Sequence, residues 1–395
     1  MTASITFFPV GNGDMTLVTL DNDQKLLIDL HVRRAADNDH DDTPDVMADL
    51  RERLKRDSTG RLYVDGFLLS HPDKDHISGL ESHFHLGPPE DWDKDDDKIL
   101  IHEMWSSPVV FRRSSESHTL CPDAKLWAKE ARRRVALFRK NRTVAGEGDR
   151  IQIMGEDEDG KTDDILDIVV KTNECIAKLN DNGSGAFEGR LLAPLPQGDD
   201  VDTKELLGKN QSSVIIRFSI RGGGVLDKCR FLSGGDAEVA IWERLWDDLG
   251  NDNVDWLNFD ILQAPHHCSW HSLSYDSWSQ MGEDAKVCEA ARNALSQIRK
   301  GAIVVASSKT IDPDDSDPPC DRAKREYISI VDGKSDRFIC VADVWEVEER
   351  ALEYEITANG ITKTLKSAAK AAAAAMGIGA IASQARAHGR ADGCR

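Results

Sequence analysis

Apolar positions along this chain fall into short strand-like runs separated by polar, glycine-containing turns, with stretches of helical spacing between them. The first run, Ile5–Val10, ends in Gly11-Asn12-Gly13-Asp14, a turn signal. Met15–Leu20 and Lys25–Leu30 read as two strands joined by Asp21-Asn22-Asp23, and Asp45–Arg56 as an amphipathic helix. Leu62–Ser70 is a buried type of strand that delivers the chain directly to His71. Lys98–His102 predicts a further strand and Ala124–Lys140 a strongly charged helix. Short strands follow at Arg150–Met154, Leu166–Lys171 and Leu191–Ala193, separated by polar, Gly-rich loops.

Ser213–Ile220 and Lys228–Ser233 predict a hairpin that runs into Gly234-Gly235-Asp236 and a helix over Ala237–Leu249. Asp260–Ala264 is a strand ending at Pro265-His266-His267-Cys268-Ser269; Val287–Lys300 is a helix and Gly301–Ala306 a strand. Ile311–Asp321 is an acidic, Pro-rich loop. The alternation, with hairpins at two places, predicts an α/β (α+β) fold of mixed sheets flanked by helices rather than a simple doubly wound sheet.

From about Ser367 the composition changes: Ala371–Ala375 is pure alanine and Met376–Ala382 is apolar and contains glycine. The expected organisation is therefore one domain over residues 1–360, with insertions at about 103–208, and a helical or fraying tail over 361–395. A docking segment for a partner protein is the alternative for the tail. No apolar run approaches bilayer-spanning length, so no membrane contact is expected. The N-terminus lacks the basic start and long apolar stretch of a signal peptide. The 8 cysteines are scattered, without a Cys-x-x-Cys pair, which argues against a zinc ribbon and for reduced thiols in a cytoplasm.

The formal charge of −20 sets a limit on function. Such a chain repels phosphate backbones at long range, so extensive non-specific grip on nucleic acid is disfavoured. A local basic patch or divalent metals remain compatible with a phosphodiester. Acidic runs such as Asp37–Asp45 and Asp91–Asp97 read as solvated loops, with protein-partner binding as a second use.

Candidate chemistry lies at strand ends. His71-x-Asp73-x-Asp75-His76 offers imidazole and carboxylate ligands in one loop directly after an apolar strand, a mixture that suits zinc, manganese or iron. Asp236 follows a strand and opens a helix, where it can bridge two cations or serve as an N-cap. His266 and His267 point different ways as neighbours, so one would ligate while the other exchanges a proton with substrate.

These segments, taken in order, resemble the metallo-β-lactamase fold family. His71-Pro72-Asp73-Lys74-Asp75-His76 is similar to its His-x-His-x-Asp-His signature with Asp73 in place of the second histidine, the variant of the metallohydrolase domain of ComEC-type competence DNA-uptake proteins. Phe8–Asp14, Leu27-Ile28-Asp29, Asn210–Val214, Phe231–Glu238 and Pro265–Ser269 resemble that group's other segments. The resemblance implies a four-layer αβ/βα sandwich with two divalent metal ions, zinc or manganese, at one edge. His71 and Asp73 would hold the first metal. Asp75, His76 and one of His266 and His267 would hold the second, with His266 as the assignment and His267 as proton donor. Asp236 would bridge the two. For the third-motif histidine, His102 and His118 are both candidates. Asp14 and Asp29 match non-ligand positions, Asp29 as a hydrogen-bonding support. Cys268 stands where the family has glycine, and its thiol either ligates or fills space.

The function this implies is hydrolysis of a phosphodiester by a metal-activated water, as a nuclease or nucleotide phosphodiesterase. Asp75 would orient the nucleophile and Lys74 would face a phosphate. Short single-stranded nucleic acid or nucleotides fit the acidic surface better than long duplexes. The alternatives are hydrolysis of a non-phosphate ester or amide, and a non-catalytic regulatory subunit of a bacterial defence or stress system that keeps the fold.

Overall fold

The computed structural model describes residues 1–34, 42–108, 120–156, 160–195, 213–315 and 317–364. His118, the motif residues Asn210–Ser212 and the Ala-rich segment lie outside them. The strands are β1 (Ala3–Phe7), β2 (Thr16–Thr19), β3 (Lys25–Ile28), β4 (Leu30–His31), β5 (Lys55–Arg56), β6 (Leu62–Leu69), β7 (Leu100–Ser106), β8 (Arg150–Met154), β9 (Val169–Val170), β10 (Cys175–Ile176), β11 (Phe187–Ala193), β12 (Ile215–Gly222), β13 (Val225–Ser233), β14 (Phe259–Gln263), β15 (Ile298–Ala306), β16 (Phe338–Cys340), β17 (Leu352–Thr357) and β18 (Gly360–Lys363).

Among the described residues they form two mixed sheets. The first runs β18-β17-β1-β2-β3-β6-β7-β8-β9, with β5 paired to β6; the second runs β10 to β16 in chain order. Alternation along the strands sorts side chains into three apolar layers. Phe7, Leu68, Phe218, Phe231, Ile261 and Val305 fill the space between the sheets. Phe67 and Leu69 pack with Trp127 and Val135 of the helix Pro122–Asn141 on the outer face of the first sheet. Leu232, Leu262 and Val304 pack with Trp242 and Leu245 of the helix Val239–Leu249, and with Tyr327, on the outer face of the second. The result is the four-layer αβ/βα sandwich. Met1–Thr362 forms one compact unit.

The parallel pairs carry the functional consequence. β3, β6 and β7 run parallel, as do β13, β14 and β15. Their C-terminal ends therefore release the chain at one edge of each sheet. Val214 N–H donates to the Ser70 carbonyl (2.9 Å), which joins those edges across the sandwich.

Some elements differ from the sequence pattern for identifiable reasons. The expected helix Asp45–Arg56 is shorter, Val46–Arg53, with Asp45 as the N-cap accepting from Ala48 N–H (2.9 Å). Lys55 and Arg56 instead pair with β6. The expected helix Val287–Lys300 covers only Glu289–Leu295, because Ile298 already pairs with Phe259 and Arg299 bonds Asp260 (2.8 Å). The strand expected at Leu166–Lys171 is a 3-10 turn, Asp163–Ile168, followed by β9. The stretch expected as insertions holds most of β7 and all of β8–β11, which pair into both sheets.

Phe231 is fully buried between the sheets, its ring 5.9 Å edge-on from Phe7 and 6.1 Å stacked on Phe218. Phe231→Ala is expected to lower unfolding free energy by about 3–5 kcal/mol. Urea denaturation checks this; a loss under about 1 kcal/mol would mean the inter-sheet layer is not packed as described.

Candidate metal centre

His71 and His76 leave the end of β6 together. Ser70 N–H donates to Asp29 Oδ1 (2.7 Å), which ties the start of that loop to the end of β3. Asp29 sits in the left-handed region (φ 58°), a conformation that Asp tolerates better than most residues. Its other oxygen accepts from Ser70 Oγ and meets His76 Nδ1 at 2.8 Å. His76 Nε2 then meets Asp236 Oδ1 at 2.9 Å. The ring is thus held between two carboxylates, and Asp29 makes the supporting hydrogen bonds expected of it.

Gly234 and Gly235 bring Asp236 into position. A Cβ on Gly234 would lie 2.8 Å from the Trp242 ring, and one on Gly235 (φ 49°) 2.9 Å from Ser70 Oγ. Asp236 N–H donates to Ser213 Oγ (3.2 Å), so no larger residue could make this close crossing.

The third segment is strained. His266, His267 and Cys268 have φ of 50°, 54° and 69°, three successive left-handed residues without glycine. Each costs about 1–2 kcal/mol. His266 N–H to the Gly235 carbonyl (2.9 Å), Ser269 N–H to the His266 carbonyl (2.9 Å) and Cys320 N–H to the Cys268 carbonyl (3.0 Å) hold the turn. Cys268 keeps the backbone shape that glycine would supply while its side chain joins the outer core of the second sheet. The turn aims His267 inward: its Nε2 lies 3.5 Å from Asp75 Oδ2 and 3.6 Å from Asp236 Oδ1, and its Nδ1 3.5 Å from Asp14 Oδ1.

One ligand atom each from Asp75, His76, Asp236 and His267 therefore lies in a group tight enough to hold a metal ion; Asp14, Asp29 and His76 form a second such group. His71 is fully buried, 3.3 Å from Asp73, with its ring edge-on to His76 at 5.6 Å. His266 is less buried and lies 3.8 Å from the second oxygen of Asp236. Lys74 is exposed. His102 stacks on Tyr63 (4.2 Å) and stands beside the middle of β6, about 20 Å before His71 at about 3.3 Å per strand residue.

Two residues join this centre that the sequence pattern did not single out as active. Asp14 faces His267, placed by its N–H bond to the Asp75 carbonyl (3.0 Å). His31 packs where Gly13 has no side chain; a Cβ there would meet its Nδ1 at 1.7 Å. Its only sequence signal is its place two residues after Asp29, since Leu30 and His31 bridge to Ile77 and Ser78.

The electrostatics fit a cation. Burial opposes charge on both rings, yet Asp236 and Asp29 hold His76 well above the usual imidazole range, and Asp236 and Asp14 raise His267 to about 10. Burial alone would raise Asp236, but His76 and His267 drive it well below the carboxylate range. Burial lowers His31 to about 4. Both nitrogens of His71 and His267, His266 Nδ1 and Asp14 Oδ1 are buried without a hydrogen-bond partner. Buried polar atoms left this way mark a missing partner, and imidazole and carboxylate are the donors divalent ions take.

No family model matches this sequence, and no curated protein matches it. Among solved structures it is similar to Igni18, a metallo hydrolase from the hyperthermophilic archaeon Ignicoccus hospitalis KIN4/I. The identity is 12%, the match covers 85% of this chain and 94% of that one, and the TM-score is 0.33.

Asp29 touches no proposed substrate, so its effect passes through His76. Asp29→Asn, which tolerates the same backbone shape, is expected to weaken zinc or manganese affinity about 10–100-fold with the fold retained. Competition against a chromogenic chelator measures this; affinity unchanged within about twofold would remove Asp29 from the centre.

Proposed function

We propose that this chain is a metal-dependent hydrolase of phosphodiesters, a nuclease or nucleotide phosphodiesterase. The observation that carries the reading is the group of buried His76, Asp236 and His267 with half-exposed Asp75, with unpartnered donors, at the edge where strands of both sheets end. His71, edge-on to His76, and Asp73, 3.3 Å from His71, would hold a second ion, with Asp236 proposed as the bridge. Divalent ions held there supply Lewis acidity for activating water and neutralising charge at phosphorus. A carboxylate-rich donor set suits the harder, phosphate-preferring ions.

The remaining roles follow from exposure. Asp75, 37% exposed at its side chain, is the solvent-accessible carboxylate of the group and orients the attacking water. His267, turned inward and nearly sealed, is a ligand. His266, 17% exposed with its proton affinity lowered by burial, is the imidazole that reaches a leaving group. This exchanges the roles that the motif pattern gave to the two histidines. The order of segments resembling ComEC-type metallohydrolase domains supports a nucleic-acid or nucleotide substrate. No helix among the described residues is long and apolar enough to cross a membrane.

Hydrolysis of bis(4-nitrophenyl) phosphate in manganese or zinc tests this reading. Asp75→Ala is expected to abolish turnover. His266→Ala should lower kcat by about 10²–10⁴-fold with bound metal intact, as loss of a general acid does. His267→Ala should instead lose metal. Full activity in Asp75→Ala with metal retained would sink the proposal, and metal loss confined to His266→Ala would reverse the two histidines.

A further inference from the structure

A cleft of about 570 Å³ borders the metal centre, between the segment after β4, the turn Lys74–Gly79, the short helix Leu80–His83 and the start of the helix Pro122–Asn141. Its size suits one nucleotide unit. Arg33, Arg34 and Lys74 line it. Among the described residues the acidic side chains on its wall are Glu81 and Asp123, and Asp123 already accepts from Gly79 N–H (2.9 Å) and Glu81 N–H (3.1 Å). In a chain of charge −20, a wall with three cations is a local reversal of sign.

The cleft adjoins the centre through two residues. Lys74 lies between the candidate ligands Asp73 and Asp75 in the chain. His31 lines the cleft on one side and abuts Gly13 on the other, where a Cβ would also meet the Asp75 carbonyl at 2.8 Å. An anionic group seated here would belong to the same substrate as one at the metals.

Resting on the hydrolase reading above, we infer that this cleft binds a second phosphate of the substrate, in the nucleotide next to the scissile bond. The preferred substrate is then a short single-stranded oligonucleotide rather than a single-phosphate ester. The arginines act by positioning the strand. They supply the local attraction that the overall charge withholds.

The test uses the full chain and the double variant Arg33→Ala/Arg34→Ala. In manganese, kcat/KM is measured for pTpTpT and for thymidine 5′-(4-nitrophenyl phosphate). The wild type should prefer the trinucleotide, and the variant should lose that preference about tenfold, chiefly in KM. After chelator treatment, trinucleotide binding is followed by fluorescence anisotropy against salt. The log–log slope should fall by about 1.4 when two contacts to a single strand are removed. An unchanged preference together with an unchanged slope overturns the cleft assignment. So does inorganic phosphate competing as well as the trinucleotide, which would make it a free-anion site. Loss of binding in the variant supports the cleft even if no ester is hydrolysed, and in that case the hydrolase reading alone fails.

Discussion

The structure depends on a knot of like charge. Asp14, Asp29 and Asp236, almost sealed from water, and the half-exposed Asp75 converge on the imidazoles His76 and His267. Two unit charges 4 Å apart interact by about 4 kcal/mol even at an effective dielectric of 20. Carboxylates gathered around so few hydrogen-bond donors repel one another. Protonated His76 and His267 relieve part of this, which is why both hold their protons so firmly. A divalent cation relieves more and must displace those protons to do so, so metal binding, proton release and folding are coupled in this centre.

The sandwich makes such a knot affordable. Packing in three separate apolar layers holds the strand ends while the loops beyond them carry the unfavourable charges. The links between those loops are backbone bonds that do not depend on charge: Val214 to Ser70, His266 to Gly235, Asp14 to Asp75. Ser307 Oγ donates to the Gly13 carbonyl (2.7 Å), fixing the turn that carries Asp14 to the end of β15. Stability resides in the layers, and the site draws on it.

Much of this was legible locally and some could not be. The strand Leu62–Leu69 shows as an apolar run, and its exit into a His/Asp loop marks the centre without any structure. Mixed sheets flanked by helices follow from the alternation of elements, while the four-layer arrangement was only what the resemblance implied. What stayed hidden depends on contacts distant in sequence. β17 pairs with β1 in antiparallel register, Ile5 opposite Tyr354, and no local pattern announces that. Asp14 reads as the end of a turn because its partner, His267, arrives from the other sheet. Which of His266 and His267 turns inward rests on three left-handed residues that contain no glycine, so composition gives the opposite impression of an ordinary backbone. His102, one of the two candidates for the third-motif histidine, stays away for a simpler reason: it stands beside the middle of β6, not its end.

The overall charge acts on the two proposed ligands with opposite signs. An acidic surface raises the local concentration of divalent cations and lowers that of polyanions. A centre built from buried carboxylates gains from the first effect, because its own repulsion falls as soon as an ion enters. It suffers from the second, since long-range repulsion slows the approach of any phosphate chain. Screening shortens that repulsion to about 8 Å at physiological salt, so only charges near the mouth of the site decide whether a phosphate stays. Arg33, Arg34 and Lys74 line the cleft beside the centre, while most of the described acidic residues do not. On the proposed reading, an acidic protein with a small basic inlet suits short substrates, because the charge that attracts divalent cations also keeps long polyanions from accumulating on its surface.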